Sequence, residues 1–282
     1  MMRHWMRHRI FAIAGLWLGL AAAQAQEACP ALTRVGFSDL GYTSFREAGE
    51  IRGISVDVAK ELARRTGCRF EFIWYPRQRL FVELEAGRID MTLAALRTPE
   101  RDAYASFLPY AYLQYDLVLS DPAGQRYTSL TDFVARGSGR LNVTRGMSYD
   151  PAVETQLALL AAAGRLEVVN DFDTVFGKLE MGRADGTLAT PPIYARHLKS
   201  RRFKAAPSVI PMPESSARIT GIYMSRKTVG AGARARYASA IRSMVVDEVV
   251  PVLYARYFDD ATVKRIFRQG SAPLLAASAA QD

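Results

Sequence analysis

The sequence predicts an α/β chain folded as two similar lobes with a cleft between them. Short β-branched or aromatic runs alternate with helix-period stretches along nearly its whole length, the pattern of sheets flanked by helices. The second observation is internal. Residues 84–94, LEAGRIDMTLA, align without gaps on residues 179–189, LEMGRADGTLA, with eight identities in eleven. The copies stand 95 residues apart, too far for a solenoid repeat, so they read as one helix–turn–strand unit used once in each lobe. Open α/β sheets take ligands beyond the carboxyl ends of their strands, and two such sheets facing each other make a cleft.

The first 25 residues stand outside this fold. Residues 1–9 carry three arginines and no acid, a short apolar run follows, and Ala23-Gln24-Ala25 offers small residues for cleavage. That order predicts a secretory signal peptide over 1–25, because the run falls short of the roughly 20 apolar residues of a membrane span. Cys29 has Gln26 rather than leucine three positions upstream, so no lipid anchor is expected and the exported chain is read as periplasmic. Removing the leader lowers the formal charge from +9 to +6. No basic run with interleaved aromatics points to nucleic acid.

Residues 32–38 read as the first strand. Residues 56–67 put Val56, Ala59, Leu62 and Ala63 on one helical face and stop at Gly67, a C-terminal capping position. A strand over 69–75, a helix over 79–87 and a buried strand over 89–96 complete the first series. Strands then recur at 115–120, 140–146, 166–170, 184–190 and 217–225, with helices over 150–164, 172–182 and about 231–257. The tail, 271–282, is expected to fray.

Cys29 and Cys68 are the only cysteines. Each precedes a strand-like run, and parallel neighbouring strands would bring both to one sheet end. In an oxidising compartment this predicts a disulfide between them. His197, the one histidine beyond the leader, lies near the basic stretch KSRRF and reads as a solvated surface residue. One histidine and two cysteines do not make a four-ligand Cys/His zinc site, and a Ser-His-Asp triad would have to use His197.

Six motifs in order carry a family resemblance. They are RVGFSDLGYTSF at 34–45, GISVDVAKELARRTG at 53–67, LEAGRIDMTLAALRTPERDAYASFLPY at 84–110, VTRGMSYD at 143–150, GKLEMGRADGTLAT at 177–190 and VLYARYF at 252–258. Together they resemble the bacterial extracellular solute-binding proteins of family 3, which feed ABC importers. The resemblance implies the type II two-lobe fold of periplasmic binding proteins, each lobe a mainly parallel sheet flanked by helices. It places lobe 1 at 26–115 plus 222–282 and lobe 2 at 116–221, with hinges near 112–116 and 213–222.

The family's carboxylate-binding arginine stands three residues after a threonine, which here gives Thr98 and Arg101. Thr98 before Pro99 can N-cap a turn, so free backbone N–H groups and a guanidinium fork are expected to converge on an anion. The alternative for Arg101 is a surface network with Glu100 or Asp102. Arg97 is secondary. In the second lobe Asp150-Pro151 reads as a helix start, and Ser148 and Tyr149 fall in the loop that resembles the family's carboxylate-binding loop; Ser148 capping the helix is the alternative. Asp39 and Tyr42 match a ligand-contacting Asp-x-x-Tyr segment. Arg77 falls where the family commonly has a stacking aromatic, and is read either as stacking on ligand through its planar face or as solvated. Asp57 is expected to brace its helix.

Leu96 and Ala94 replace small hydroxyl residues expected near the ligand, and Thr190 replaces an acidic one. A buried ammonium without a carboxylate is costly, so the ligand is read as a small carboxylate-bearing solute, either an amino acid or an organic anion. The implied partners are that ligand and a membrane ABC permease. The chain is read as a monomer that binds rather than catalyses, with no cofactor, metal or nucleic acid. Two other classes stay open: a dehydratase of the cyclohexadienyl type using Asp39 or Glu214 as general acid, and a ligand-sensing accessory subunit.

Overall fold

A computed structural model describes residues 29–120 and 126–279; the leader expected over 1–25 lies outside the described residues. The order of elements is β1 (Thr33–Phe37), a single 3-10 turn (Gly41–Thr43), β2 (Phe45–Glu47), β3 (Glu50–Arg52), α1 (Ile54–Thr66), β4 (Phe70–Trp74), α2 (Arg77–Ala86), β5 (Met91–Leu96), α3 (Pro99–Asp102) and β6 (Ala105–Leu113). There follow β7 (Asp116–Leu119), α4 (Leu130–Arg136), β8 (Leu141–Thr144), α5 (Pro151–Ala162), β9 (Leu166–Val169), α6 (Phe172–Glu180), β10 (Gly186–Ala189), α7 (Pro191–Ser200) and β11 (Ser208–Pro211). The chain closes with β12 (Arg218–Ser225), α8 (Ala231–Val246), α9 (Val249–Tyr254), α10 (Asp260–Ile266) and α11 (Ala272–Ala279).

Two five-stranded sheets carry the fold, ordered β4-β1-β5-β12-β6 and β11-β7-β10-β8-β9. Both are mixed on one plan. Three parallel strands, β4, β1 and β5 in one sheet and β9, β8 and β10 in the other, are followed by an antiparallel fourth, β12 or β7. The fourth strand is in each case the first one laid down after the chain crosses between sheets. β5 and β10, the two copies of the internal echo, hold the same third place.

The echo has a common chemistry. Gly87 and Gly182 end α2 and leave α6 at φ 75° and 68°, a backbone conformation that glycine adopts without Cβ strain. The aspartate three residues later then fastens the neighbouring strand. Asp90 accepts from the Arg34 backbone N–H at 2.7 Å and from its guanidinium at 2.8 Å, and Asp185 accepts from the Arg140 N–H at 2.7 Å.

Each sheet packs helices on both faces. In the first, α1 and α8 cover one side through Val58, Leu62, Tyr237 and Ile241, while α2 covers the other through Leu80 and Leu84. Helix α1 ends on Gly67 at φ 72°, whose N–H bonds the Ala63 carbonyl. Cys29 and Cys68 precede the adjacent parallel strands β1 and β4 and form the expected disulfide, with Cα atoms 5.3 Å apart. The tail corrects its expectation. Residues 272–279 are helical because Leu274 is buried in the first core, and the Tyr112 hydroxyl holds the Gly270 carbonyl at 2.7 Å. Among the described residues, no helix is long and apolar enough to cross a membrane.

Candidate functional site

Between the sheets lies a small pocket. The carboxyl end of β5 contributes Ala94 and Leu96, the first turn of α2 contributes Arg77, and α3 contributes Arg101. The crossover into the second sheet adds Leu113 and Tyr115, and the loop after β8 adds 146–148. The pocket therefore sits at strand ends, where an α/β sheet leaves backbone and helix starts free to meet a ligand.

Arg101 lies over Phe81, its guanidinium carbon 3.6 Å from the ring centre, and donates from Nη1 to the Leu96 carbonyl at 3.1 Å. Burial holds its pKa below the usual arginine range. Among the described residues no carboxylate stands within ion-pair distance of it. Of the two acids in the alternative network, Asp102 instead takes Arg97 at 2.7 Å and the Tyr223 hydroxyl at 3.0 Å, and Glu100 acts on Arg101 only through its charge. Arg97 is thus a surface partner of Asp102 and does not line the pocket.

The Thr98 turn forms, but its backbone is less free than expected. Thr98 Oγ1 accepts from the Arg101 N–H at 3.4 Å, and the Thr98 N–H donates to Tyr223 Oη at 2.8 Å. Both donors are used inside the protein, so an anion here would be held chiefly by side chains.

Arg77 is 8 % exposed; it is neither solvated nor neutralised. Its Nη2 donates to the Ala94 carbonyl at 3.1 Å, whereas Nε and Nη1 are buried without a partner. Burial, reinforced by the charge of Arg101, pushes its pKa down to about 10, so it remains a cation at neutral pH. Its guanidinium carbon lies 4.9 Å from the centre of the same Phe81 ring. Lying over one ring, the two like charges repel by about 2 kcal/mol or more at an effective dielectric constant near 20. Ring faces attract cations by only about 0.5–2 kcal/mol, so Phe81 offsets this in part.

Ala94 adds strain at the same point. Its φ is 53°, a left-handed conformation that costs a non-glycine residue of order 1–2 kcal/mol. Its N–H donates to Tyr110 Oη at 3.1 Å while its carbonyl faces Arg77. Across from it, the β12 register shifts between Gly221 and Tyr223.

From the second sheet, Gly146 at φ 81° comes close to Gln78 and Arg77. The Ser148 carbonyl accepts from Arg218 Nη1 at 3.4 Å. Asp150 starts α5 without a side-chain capping bond; its carboxylate instead accepts the Ser216 hydroxyl at 2.7 Å and the Ser215 hydroxyl at 3.4 Å. The loop is thereby tied to the crossover that returns the chain to the first sheet. Tyr149 is buried with its ring 4.7 Å from Tyr115 and its hydroxyl without a partner.

The other expected contacts lie elsewhere. Tyr42 packs against Phe45, Tyr257 and Phe258. Thr190 stands at the N-cap position of α7, without a side-chain capping bond, beside an adjoining, mostly apolar cavity. Asp57 braces α1 through Arg256 at 3.1 Å and Tyr257 at 3.4 Å. Asp39 faces His197 rather than the arginine pocket.

His197 corrects the surface assignment. Together with Ile193 one turn earlier, it lies on the buried face of α7, and its ring stacks on Phe176 at 4.6 Å and 4°. Its ring nitrogens stand 3.6 Å from Asp39 and 3.7 Å from Asp173. The three ligand-type atoms lie close together, Arg201 pairs with Asp173 at 3.0 Å, and both His197 ring nitrogens are buried without a hydrogen-bond partner.

The lobes meet around the pocket. Leu40 joins Ile193, Met147 and Ala94 in one apolar seam, Arg196 lies 4.4 Å over the Phe45 ring, and Gly41 abuts Pro192 and Ile193. The lobes are in contact here, and two guanidinium groups line the space between them. Sequence reasoning missed Phe81. Its position one helical turn after Arg77 was the available signal.

The family described as bacterial extracellular solute-binding proteins, family 3, matches residues 34–275. Among solved structures, an ancestral arginine-binding protein bound to arginine superposes with a TM-score of 0.67 at 19% identity, covering 82% of this chain and 100% of that one. The arginine-, lysine-, histidine-binding protein ArtJ from Geobacillus stearothermophilus gives 0.65 at 18%, over 80% and 94%. An ancestral amino acid-binding protein described as a precursor of cyclohexadienyl dehydratase gives 0.65 at 21%, over 81% and 96%. At such identities the likeness concerns the fold alone. No curated protein matches.

Proposed function

The chain belongs to the bacterial extracellular solute-binding proteins, family 3, and from that premise we propose that it is exported and captures a small carboxylate-bearing solute between its lobes for delivery to a membrane ABC permease. The observation that carries this reading is the Arg101 guanidinium, lining an interlobe pocket with no carboxylate partner among the described residues. A carboxylate would take two parallel bonds from such a fork. The 146–148 loop faces it from the other lobe, so one ligand would touch both lobes and favour the closed form. A permease that engages only the closed form would then discriminate loaded from empty protein.

Binding is favoured over elimination chemistry by the residues lining the pocket, which include no carboxyl group to serve as general acid. Glu214 is half-buried and accepts from the Thr131 N–H at 2.7 Å, and Asp39 faces His197; neither lines this pocket. The test is mass spectrometry of small molecules released from the purified protein, followed by a thermal-shift panel of amino acids and organic acids. The expected result is an unchanged carboxylate that stabilises the protein by about 2.7 kcal/mol at one hundred times its dissociation constant. Turnover of that compound, or stabilisation only by solutes lacking a carboxylate, would contradict the reading.

A further inference from the structure

We infer that Arg77 is a second anion anchor and that the ligand is a small dicarboxylate lacking an amine. This deepens the reading of the Arg101 pocket and rests on it.

The starting observation is an imbalance of charge. Arg77 is 8 % exposed, and two of its three nitrogens, Nε and Nη1, are buried without a partner. Its one fixed bond runs to the Ala94 carbonyl, which neutralises nothing. A guanidinium in that state is either a defect or half of a site. Several features mark it as half of a site. Arg77 lines the same pocket as Arg101, and both stack on Phe81. Their guanidinium carbons can be no farther apart than their two distances to that ring combined. Both cations are therefore within reach of one small ligand.

One carboxylate would offset one of these charges, and a zwitterionic amino acid would bring a net charge of zero. An ammonium would also need a counter-ion, and the nearby acids are committed. Asp39 faces His197 at 3.6 Å. Asp116 accepts from Tyr194 and Arg265, each at 3.1 Å. Thr190 stands where an acid was expected from the sequence. Leu96, Leu113 and Met147 supply apolar wall for the linking carbons.

Three probes of similar length separate the terms. Butyrate has one carboxylate, glutarate has two, and L-glutamate adds an ammonium to the glutarate frame. Calorimetric titration of the full chain should find glutarate at least tenfold tighter than either of the others. Arg77→Gln should collapse the glutarate preference over butyrate to within about threefold, with butyrate affinity little changed. Arg77→Lys, which keeps the charge, should retain part of it. Arg101→Gln should weaken both acids.

L-Glutamate binding as tightly as glutarate would overturn the inference, as would an Arg77→Gln protein with an unchanged glutarate-to-butyrate ratio. If Arg101→Gln still abolished binding in those cases, the carboxylate-capture reading would stand alone. Inorganic phosphate binding more tightly than glutarate would also overturn the dicarboxylate assignment. If no carboxylate bound at all, both readings would fall.

Discussion

Asp39 from the first lobe and His197 from the second stand 3.6 Å apart inside the closed interface, where burial perturbs both. Burial pushes the Asp39 carboxyl up from 3.8 to about 6. It pushes His197 down from 6.5 to about 4. Asp171, Asp173, Arg196 and Arg201 complete the surrounding charges.

The two shifts oppose each other in the stability profile. Folded Asp39 holds a proton up to about pH 6, so it costs stability above that pH and the cost fades as pH falls toward 4. Folded His197 refuses a proton down to about pH 4, so acidification from 6.5 favours the unfolded chain, which binds one. Asp39→Asn removes only the first effect. Taken from pH 6.5 to 4.5, that variant should lose about 2 kcal/mol more stability than the parent. Parallel urea unfolding at the two pH values measures this; equal losses would show that Asp39 is not perturbed.

Arg77 should be a liability without ligand. Replacing it by methionine keeps the length and removes a buried cation with no counter-ion. The ligand-free protein should gain about 1–3 kcal/mol, seen as a melting temperature several degrees higher. A lower melting temperature would mean that its bond to Ala94 and its packing on Phe81 outweigh the charge cost.

Gly41 should be needed for closure. It lies at φ 59°, where an added Cβ would collide with the Pro192 carbonyl and come 2.5 Å from Ile193 Cα. Gly41→Ala should leave each lobe folded but hold them apart, giving a larger radius of gyration by X-ray scattering and at least tenfold weaker ligand binding. Unchanged scattering and affinity would show that the seam yields at little cost.

The disulfide should matter chiefly for stability. It closes a loop with a sequence separation of 39 residues, for which the chain-entropy account gives about 4 kcal/mol. Replacing Cys29 and Cys68 by serine should lower stability by that order and leave ligand affinity within about twofold, because the pair lies at the sheet end where β1 and β4 begin. An unaltered unfolding midpoint in denaturant would contradict this.

Much of the fold was legible because its signals are local. The Gly-Arg-x-Asp turn needs a glycine for its backbone and an aspartate to hold the neighbouring strand, so it left the same residues in both lobes. Thr98 before Pro99 likewise announced a turn that places Arg101. What escaped depends on distant packing. The basic residues around His197 suggested solvent, but the Phe176 ring that buries it comes from α6. Leu274 holds the tail as a helix only because the first core offers it a place. Arg77 carries no sequence mark of burial; its state arises where α2, β5 and the 146–148 loop converge. The left-handed Ala94 belongs to a strand whose composition gives no hint of it.

The central claim is that Arg101 holds a carboxylate inside the interlobe pocket. The most direct measurement is calorimetric titration of Arg101→Ala and the parent with the same carboxylate, beside thermal melts of both without ligand. We expect at least a hundredfold loss of affinity with ligand-free melting temperatures within a few degrees of each other. Equal affinity in a folded Arg101→Ala protein would contradict the claim.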